Sequence, residues 1–304
     1  MILFRYYSIA SYMGYTNLTS PTTNDLILDL IVTVVEYTTY GNQPIKKKGF
    51  CSSFLADVDI GSPIHLFIKS SGFHLPGTKI DPMQRRTSVL EKLGKTTCTI
   101  GKEPILLIAA GSGIAPFRGF YQQLLLNSIE AQHHKDIVNA IEESDYNDAS
   151  SVLALQKLIL ELVSQCENGM CSKRSIKLFY GCHSVESNLL YKETELYSAV
   201  LNRFDAFSRD CHEPKQYNYQ IMEKQSELVY SSLVKRCGYI YVCGKITMAD
   251  SVYKSFCSII SKHLDKDNKI DENKRHNLFS EQIAEDFINS LKDNGRYDED
   301  IFGN

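Results

Sequence analysis

Residues 104–109 read Pro-Ile-Leu-Leu-Ile-Ala, an apolar run without polar alternation, and Gly111-Ser112-Gly113-Ile114-Ala115-Pro116 follows Ala110. A strand that is apolar on both sides must be covered on both faces, which is the situation of a parallel sheet flanked by helices. Similar strands are expected at residues 176–181, 204–208 and 239–243, with helical patterns between them, notably at 115–126 and 280–293. Alternating strands and helices predict a doubly wound α/β domain over residues 101–304.

Residues 1–100 read differently. Short strands are expected at 5–9 and 63–69, and a long alternating one at 26–37, where Leu28, Leu30, Val32 and Val34 share a face opposite Asp29 and Thr33. Gly49 marks a turn into a short helix. Two polar stretches fit neither domain. Residues 77–102 carry the adjacent Arg85 and Arg86, and residues 127–173 carry one amphipathic helix with Leu155, Leu158, Ile159 and Leu162 on one face. Both read as surface insertions of the loop kind.

With 43% hydrophobic residues the chain can fill cores, and a net charge of −3 gives it no general attraction to nucleic acid or to an anionic membrane surface. Its longest apolar run, Ile105–Ala110, is far short of a membrane span, and MILFRYYS lacks the basic start and apolar stretch of a secretory signal. Nine cysteines, an odd number without framework spacing, point to free thiols and a cytoplasmic, reducing setting. No His or Cys cluster completes a metal site, and His133-His134 stand without partners.

The glycine turn brings backbone N–H groups close enough to hold a pyrophosphate, with the Ser112 hydroxyl as a further donor beside Gly111 and Gly113. By itself such a turn is common, and many serve only to pack a helix on a strand. Ser208 and Arg209 follow the third strand, with Lys215 and Tyr217 close behind. A hydroxyl, a planar guanidinium and an ammonium at a sheet edge suit an extra phosphate, the feature that separates NADP from NAD. The competing reading is an ordinary solvated basic loop.

Six segments occur together in order: RYYS at 5–8, GFCSS at 49–53, GSGIAPFRGF at 111–120, LFYGC at 178–182, YVCG at 241–244 and RYDEDIFG at 296–303. Their order and spacing resemble the ferredoxin–NADP reductase-like portion of the diflavin reductases. The ending Asp300-Ile301-Phe302-Gly303 and FHLP at 73–76 look most like the nitric oxide synthase branch. The resemblance implies an FAD-binding β-barrel, here partial, joined to an NADP-binding α/β domain.

It also implies roles. Arg5 would pair with the FAD pyrophosphate, Tyr7 would stack on the flavin ring, and Ser8 would hydrogen-bond near the nitrogen that takes up hydride. Phe50, Cys51 and Ser52 would present donors to the FAD phosphates, and Thr33 and Tyr37 would contact FAD. Cys243 would lie against the nicotinamide, Asp300 would stabilise charge developing there, and Phe302 would cover the flavin and move aside for NADPH. Departures fall on the nucleotide side: His183 replaces an Arg, Lys245 an acidic residue, Tyr219 (with Gln220 next to it) a Gln, and Ser251 (with Asp250 before it) an Asp, while the turn reads AAGSG instead of GPGTG.

Relatives carry further barrel strands, a connecting domain and an FMN domain before the first motif, and a synthase adds a haem domain. Met1 lies four residues before Arg5, so an N-terminally truncated chain is expected, with FMN and haem confined to missing domains. The implied function is hydride transfer from NADPH to FAD, with electrons then passing to an FMN domain as partner. Lys46, Lys47 and Lys48 offer basic surface for that docking, or form a solvated hairpin loop. The alternatives are a free-standing reductase for another acceptor and an NADP-binding module without turnover.

Overall fold

The structure, a computed structural model, describes residues 5–19, 27–40, 43–69, 73, 75–76, 103–165, 176–211, 214–267 and 274–302. Its centre is a five-stranded parallel sheet of β3 (Ile105–Ala110), β4 (Ile176–Cys182), β5 (Leu201–Phe207), β6 (Tyr239–Gly244) and β7 (Tyr297–Ile301), in the order β5-β4-β3-β6-β7. All four pairings are parallel. The first of these strands is central, and the chain leaves it first toward β4 and later toward β6, so the order reverses between β3 and β6.

Side-chain alternation divides β3 between two cores. Ile105, Leu107 and Ala109 face a core completed by Phe117, Tyr121 and Leu124 of α3 (Ala115–Asn127) and by buried residues of α4 (His134–Glu142) and α5 (Ala149–Gln165). Leu106 and Ile108 face the other, with Val252 and Phe256 of α9 (Ile246–Asp267) and Phe287 and Ile288 of α10 (Lys274–Asp293). Covering both faces explains why the β3 run carries no polar alternation. No helix among the described residues is long and apolar enough to cross a membrane.

The expected α/β domain is present, with two additions. The acidic segment 297–301 is a fifth strand, at the edge beside β6. Within the stretch expected as an insertion, α4 and α5 build core rather than loop, burying Ile137, Val138, Ile141, Val152, Leu155, Ile159 and Val163. The amphipathic helix exists but is rotated: Leu158, placed on the apolar face from the sequence, is 44% exposed, and Val152 and Val163 are buried instead. Residues 77–102 and 166–173 lie outside the described residues.

Among the described residues no barrel closure is seen, so the expected partial barrel is not found there. Before β3 they contain helix α1 (Met13–Thr19), an antiparallel hairpin of β1 (Glu36–Thr38) and β2 (Lys46–Lys48), helix α2 (Phe50–Asp57), and one isolated bridge between Ile9 and Leu30. Residues 63–69 are extended without strand pairing, and the strand expected at 26–37 survives only at its end. The physical reason lies in burial. Val34, Val35, Leu66, Phe67 and Ile68 are exposed, so no second layer rewards the pairing of these stretches. What does dock is α1, whose Tyr15 enters the core beneath α3. Free thiols are found at Cys51, Cys182, Cys211, Cys243 and Cys257, but Cys237 is disulfide-bonded, which corrects the all-thiol expectation.

Candidate functional site

At the carboxyl ends of β3 and β6 the strand order reverses, the place where open α/β sheets form the crevice that takes up a dinucleotide. After β3 the chain makes a tight turn at Gly111–Ile114 before entering α3. Gly111 has φ +56°, in the left-handed region that glycine adopts without strain. At Gly113 any Cβ would collide with the Cys243 carbonyl oxygen, so a side chain there would push the turn off β6. The Tyr180 hydroxyl donates to the Gly111 carbonyl at 3.2 Å and ties the turn to β4. The turn leads straight into the N-terminus of α3, the kind of place where backbone N–H groups can receive a phosphate. Ser112, within the turn, is half-buried.

After β5, Ser208–Cys211 and the residues from 214 onward have no regular structure before Asn218, and the Gln216 N–H donates back to the Phe207 carbonyl at 2.7 Å. The Ser208 N–H and hydroxyl both donate to the Cys182 carbonyl, at 3.0 and 3.2 Å, and the Arg209 N–H donates to the His183 carbonyl at 2.7 Å. Arg209 and Lys215 are exposed, and the Lys215 ammonium lies 5.1 Å over the Tyr217 ring. Tyr217 stacks on Tyr219 at 5.9 Å. The four residues expected to hold an extra phosphate therefore all lie between the end of β5 and Asn218.

Residues from opposite ends of the chain meet beside β6. The Ser8 hydroxyl donates to Asp300 Oδ2 at 2.9 Å, across 292 positions of sequence. Asp300 is the register partner of Cys243 in the β6–β7 pair. Burial of Cys243, with the Asp300 charge beside it, pushes the thiol well up from its ordinary value and keeps it neutral. The Phe302 N–H donates to the Gly244 carbonyl at 3.0 Å, which places Phe302 beside the end of β6 with 41% of the residue exposed. Ser8, Cys243, Asp300 and Phe302 thus share one neighbourhood.

The residues expected around FAD are gathered only in part. Burial, with the adjoining Cys51 thiol, pushes the Tyr7 phenol up to about 12, while Arg5 acts in the opposite sense. Arg5, Tyr7 and Cys51 therefore feel one another. Ser52 is buried: its hydroxyl donates to the Gly49 carbonyl at 3.3 Å and accepts from the Val35 N–H at 3.1 Å, fastening the start of α2. Phe50, at 80% exposure, and Thr33 and Tyr37 lie on open surface. The imidazoles of His133 and His134 contact Gln132 and the Ile129 carbonyl.

One organising residue was invisible from the sequence. Arg118 of α3 donates through Nε to both Glu193 oxygens, at 2.8 and 3.0 Å, and through Nη1 to Asp29 at 2.7 Å and to the Ala10 carbonyl at 3.3 Å. Tyr121 adds a hydrogen bond to Glu193 at 2.8 Å. Burial works against the guanidinium charge, but Glu193 and Asp29 outweigh it and raise the Arg118 pKa above its ordinary value. This clamp fastens the segment carrying Tyr7 and Ser8 to the α/β domain. Arg118 lies inside a motif, but nothing near it in sequence names partners 75 and 89 positions away.

Residues 107–254 match the family of oxidoreductase NAD-binding domains. Over 98% of its length the chain is 29% identical to nitric oxide synthase of Drosophila melanogaster, covering 16% of that protein. It is 30% identical to the inducible nitric oxide synthases of Mus musculus and Homo sapiens, again over 98% of its own length and over 20% and 19% of theirs. The chain thus spans about a fifth or less of the length of these curated relatives.

Proposed function

Because the chain is homologous to the C-terminal reductase region of nitric oxide synthase, an oxidoreductase region of the NAD(P)-binding type, we propose that it binds NADPH in the crevice between β3 and β6 and passes hydride to FAD. The observation that carries this reading is the hydrogen bond from Ser8 to Asp300, which joins the expected flavin segment to the expected nicotinamide strand.

The residues present fit NADP. Gly113 lets the turn pack directly on the Cys243 backbone, which sets the turn at the end of β6, and Arg209 and Lys215 supply cations for a 2′-phosphate. For FAD the fit rests on Tyr7, Cys51 and Ser8, with Arg5 as the pyrophosphate partner. When bound, FAD accepts a hydride and releases electrons singly. The chain's own residues prepare that exchange. The Asp300 carboxylate, oriented by Ser8, stands where positive charge develops on a nicotinamide losing hydride. The neutral Cys243 thiol adds no opposing charge beside it. Phe302 covers the mouth of the crevice and limits water.

Electrons would pass on to an FMN domain and from there toward a haem held elsewhere. Lys46, Lys47 and Lys48, all exposed on β2, support docking of an acidic partner. Five free thiols among the described residues support a cytoplasmic setting, against which the disulfide-bonded Cys237 counts. A second reading, an NADP-binding module without turnover, is favoured by the exposure of Phe50 and Tyr37 on the open β-rich segment.

The test is the NADPH-driven reduction of ferricyanide by the FAD-supplemented full chain. Asp300→Asn is expected to lower the rate about 100-fold, the usual scale for losing one electrostatic stabiliser. An unchanged rate removes Asp300 from the chemistry. Absence of any rate in the unsubstituted chain, with NADP⁺ still bound, selects the second reading.

A further inference from the structure

Asn218 opens α7 (Asn218–Lys224) and lies beneath the crevice at 4% exposure. Its Nδ2 donates to the Ala109 carbonyl at 2.7 Å, two residues before Gly111. A carbonyl only accepts, so the amide nitrogen must face Ala109 and Oδ1 must face the other way. Oδ1 accepts no hydrogen bond among the described residues and lies against Gly181, where any Cβ would collide with it. The same Nδ2 is 3.5 Å from the Met248 sulfur. Met248 in turn lies over Gly244, where a Cβ would meet its Cε at 2.8 Å.

One polar side chain therefore touches the ends of β3 and β4 and, through Met248, the end of β6. An apolar residue of the same size would fill the space without leaving a buried oxygen unpaired, so stability alone does not account for an amide here. What the amide supplies is a fixed distance. It holds Ala109, and with it the Gly111–Ile114 turn, against the Met248–Gly244 wall on the far side. The hydrogen bond from Tyr180 to Gly111 reaches the turn from β4 only.

We infer that Asn218 is a positioning residue for the dinucleotide, setting the spacing between the two glycine-lined walls that receive its pyrophosphate and nicotinamide end. This rests on the reading of the crevice as an NADP site. Among the described residues Asn218 makes no hydrogen bond to Ser208, Arg209 or Lys215; Ser208, Arg209 and Gln216 bond instead to the Cys182, His183 and Phe207 carbonyls. Its loss should thus spare a ligand that needs only Ser208, Arg209 and Lys215.

The experiment titrates the full chain calorimetrically with two probes, NADP⁺ and adenosine 2′-monophosphate. Asn218→Leu keeps the bulk and removes the hydrogen bond. It is expected to weaken NADP⁺ binding about tenfold, the effect of one hydrogen bond, and to leave the monophosphate within about twofold. Gly181→Ala, whose Cβ displaces Oδ1, is expected to reproduce the same selective loss and serves if Asn218→Leu does not fold. Equal weakening of both probes, or no change in either variant, overturns the positioning role. If the unsubstituted chain binds neither probe, the NADP reading itself fails, and that result is distinct from unchanged variants of a chain that binds both.

Discussion

Arg118 and Glu193 meet with side chains only 15% and 13% exposed. A pair so placed has given up most of its water, and removing one partner leaves the other charge uncompensated. Arg118→Met is expected to cost about 3 kcal/mol in urea denaturation of the full chain and to release the segment around Ala10 and Asp29 to limited proteolysis. A change below about 0.5 kcal/mol, the range of ordinary surface substitutions, would refute the clamp. Individual residues were unevenly legible. Gly113 could be picked out as a close-approach glycine from its place between a buried strand and a helix, whether the turn serves packing or a ligand. Arg118 could not, because its meaning lies in carboxylates 75 and 89 positions distant. Asn218 was hidden likewise: its partners, Ala109 and Met248, are 109 and 30 positions away.

Among the elements, α5 shows how far periodicity reaches. The sequence placed Leu155, Leu158, Ile159 and Leu162 on one face, whereas the helix buries Val152, Leu155, Ile159 and Val163. The two sets differ by a small rotation that both fit helical spacing, and the choice between them is made by the neighbours the helix packs on, α4 and the helix Tyr191–Leu196. Ile159→Ala should cost about 2–5 kcal/mol through the cavity it leaves, and Leu158→Ala less than about 0.5 kcal/mol, both read from chemical denaturation. The reverse ranking would mean that the helix sits on its other face. The strands divide in the same way. Those of the parallel core were legible because burial on both faces leaves a continuous apolar run. β7 was missed because an edge strand reading Tyr-Asp-Glu-Asp-Ile buries only Tyr297. The expected barrel strands have the right alternation, but alternation describes a face without supplying the layer that must cover it.

At the scale of the whole molecule, the two ends of the chain close on one site. Residues 5–8 reach Asp300 of β7, the Arg118 clamp holds that approach, and the strand order reverses between β3 and β6. The order of motifs foretold this convergence, while the open form of the residues before β3 did not follow from it. The proposed function has hydride passing from NADPH to FAD across Ser8, Cys243 and Asp300. The most direct measurement is the visible absorption of the full chain after gel filtration with FAD, recorded anaerobically before and after NADPH. The account predicts bound-flavin bands that bleach with NADPH. Flavin retained but left oxidised by NADPH, or no flavin retained at all, would contradict it.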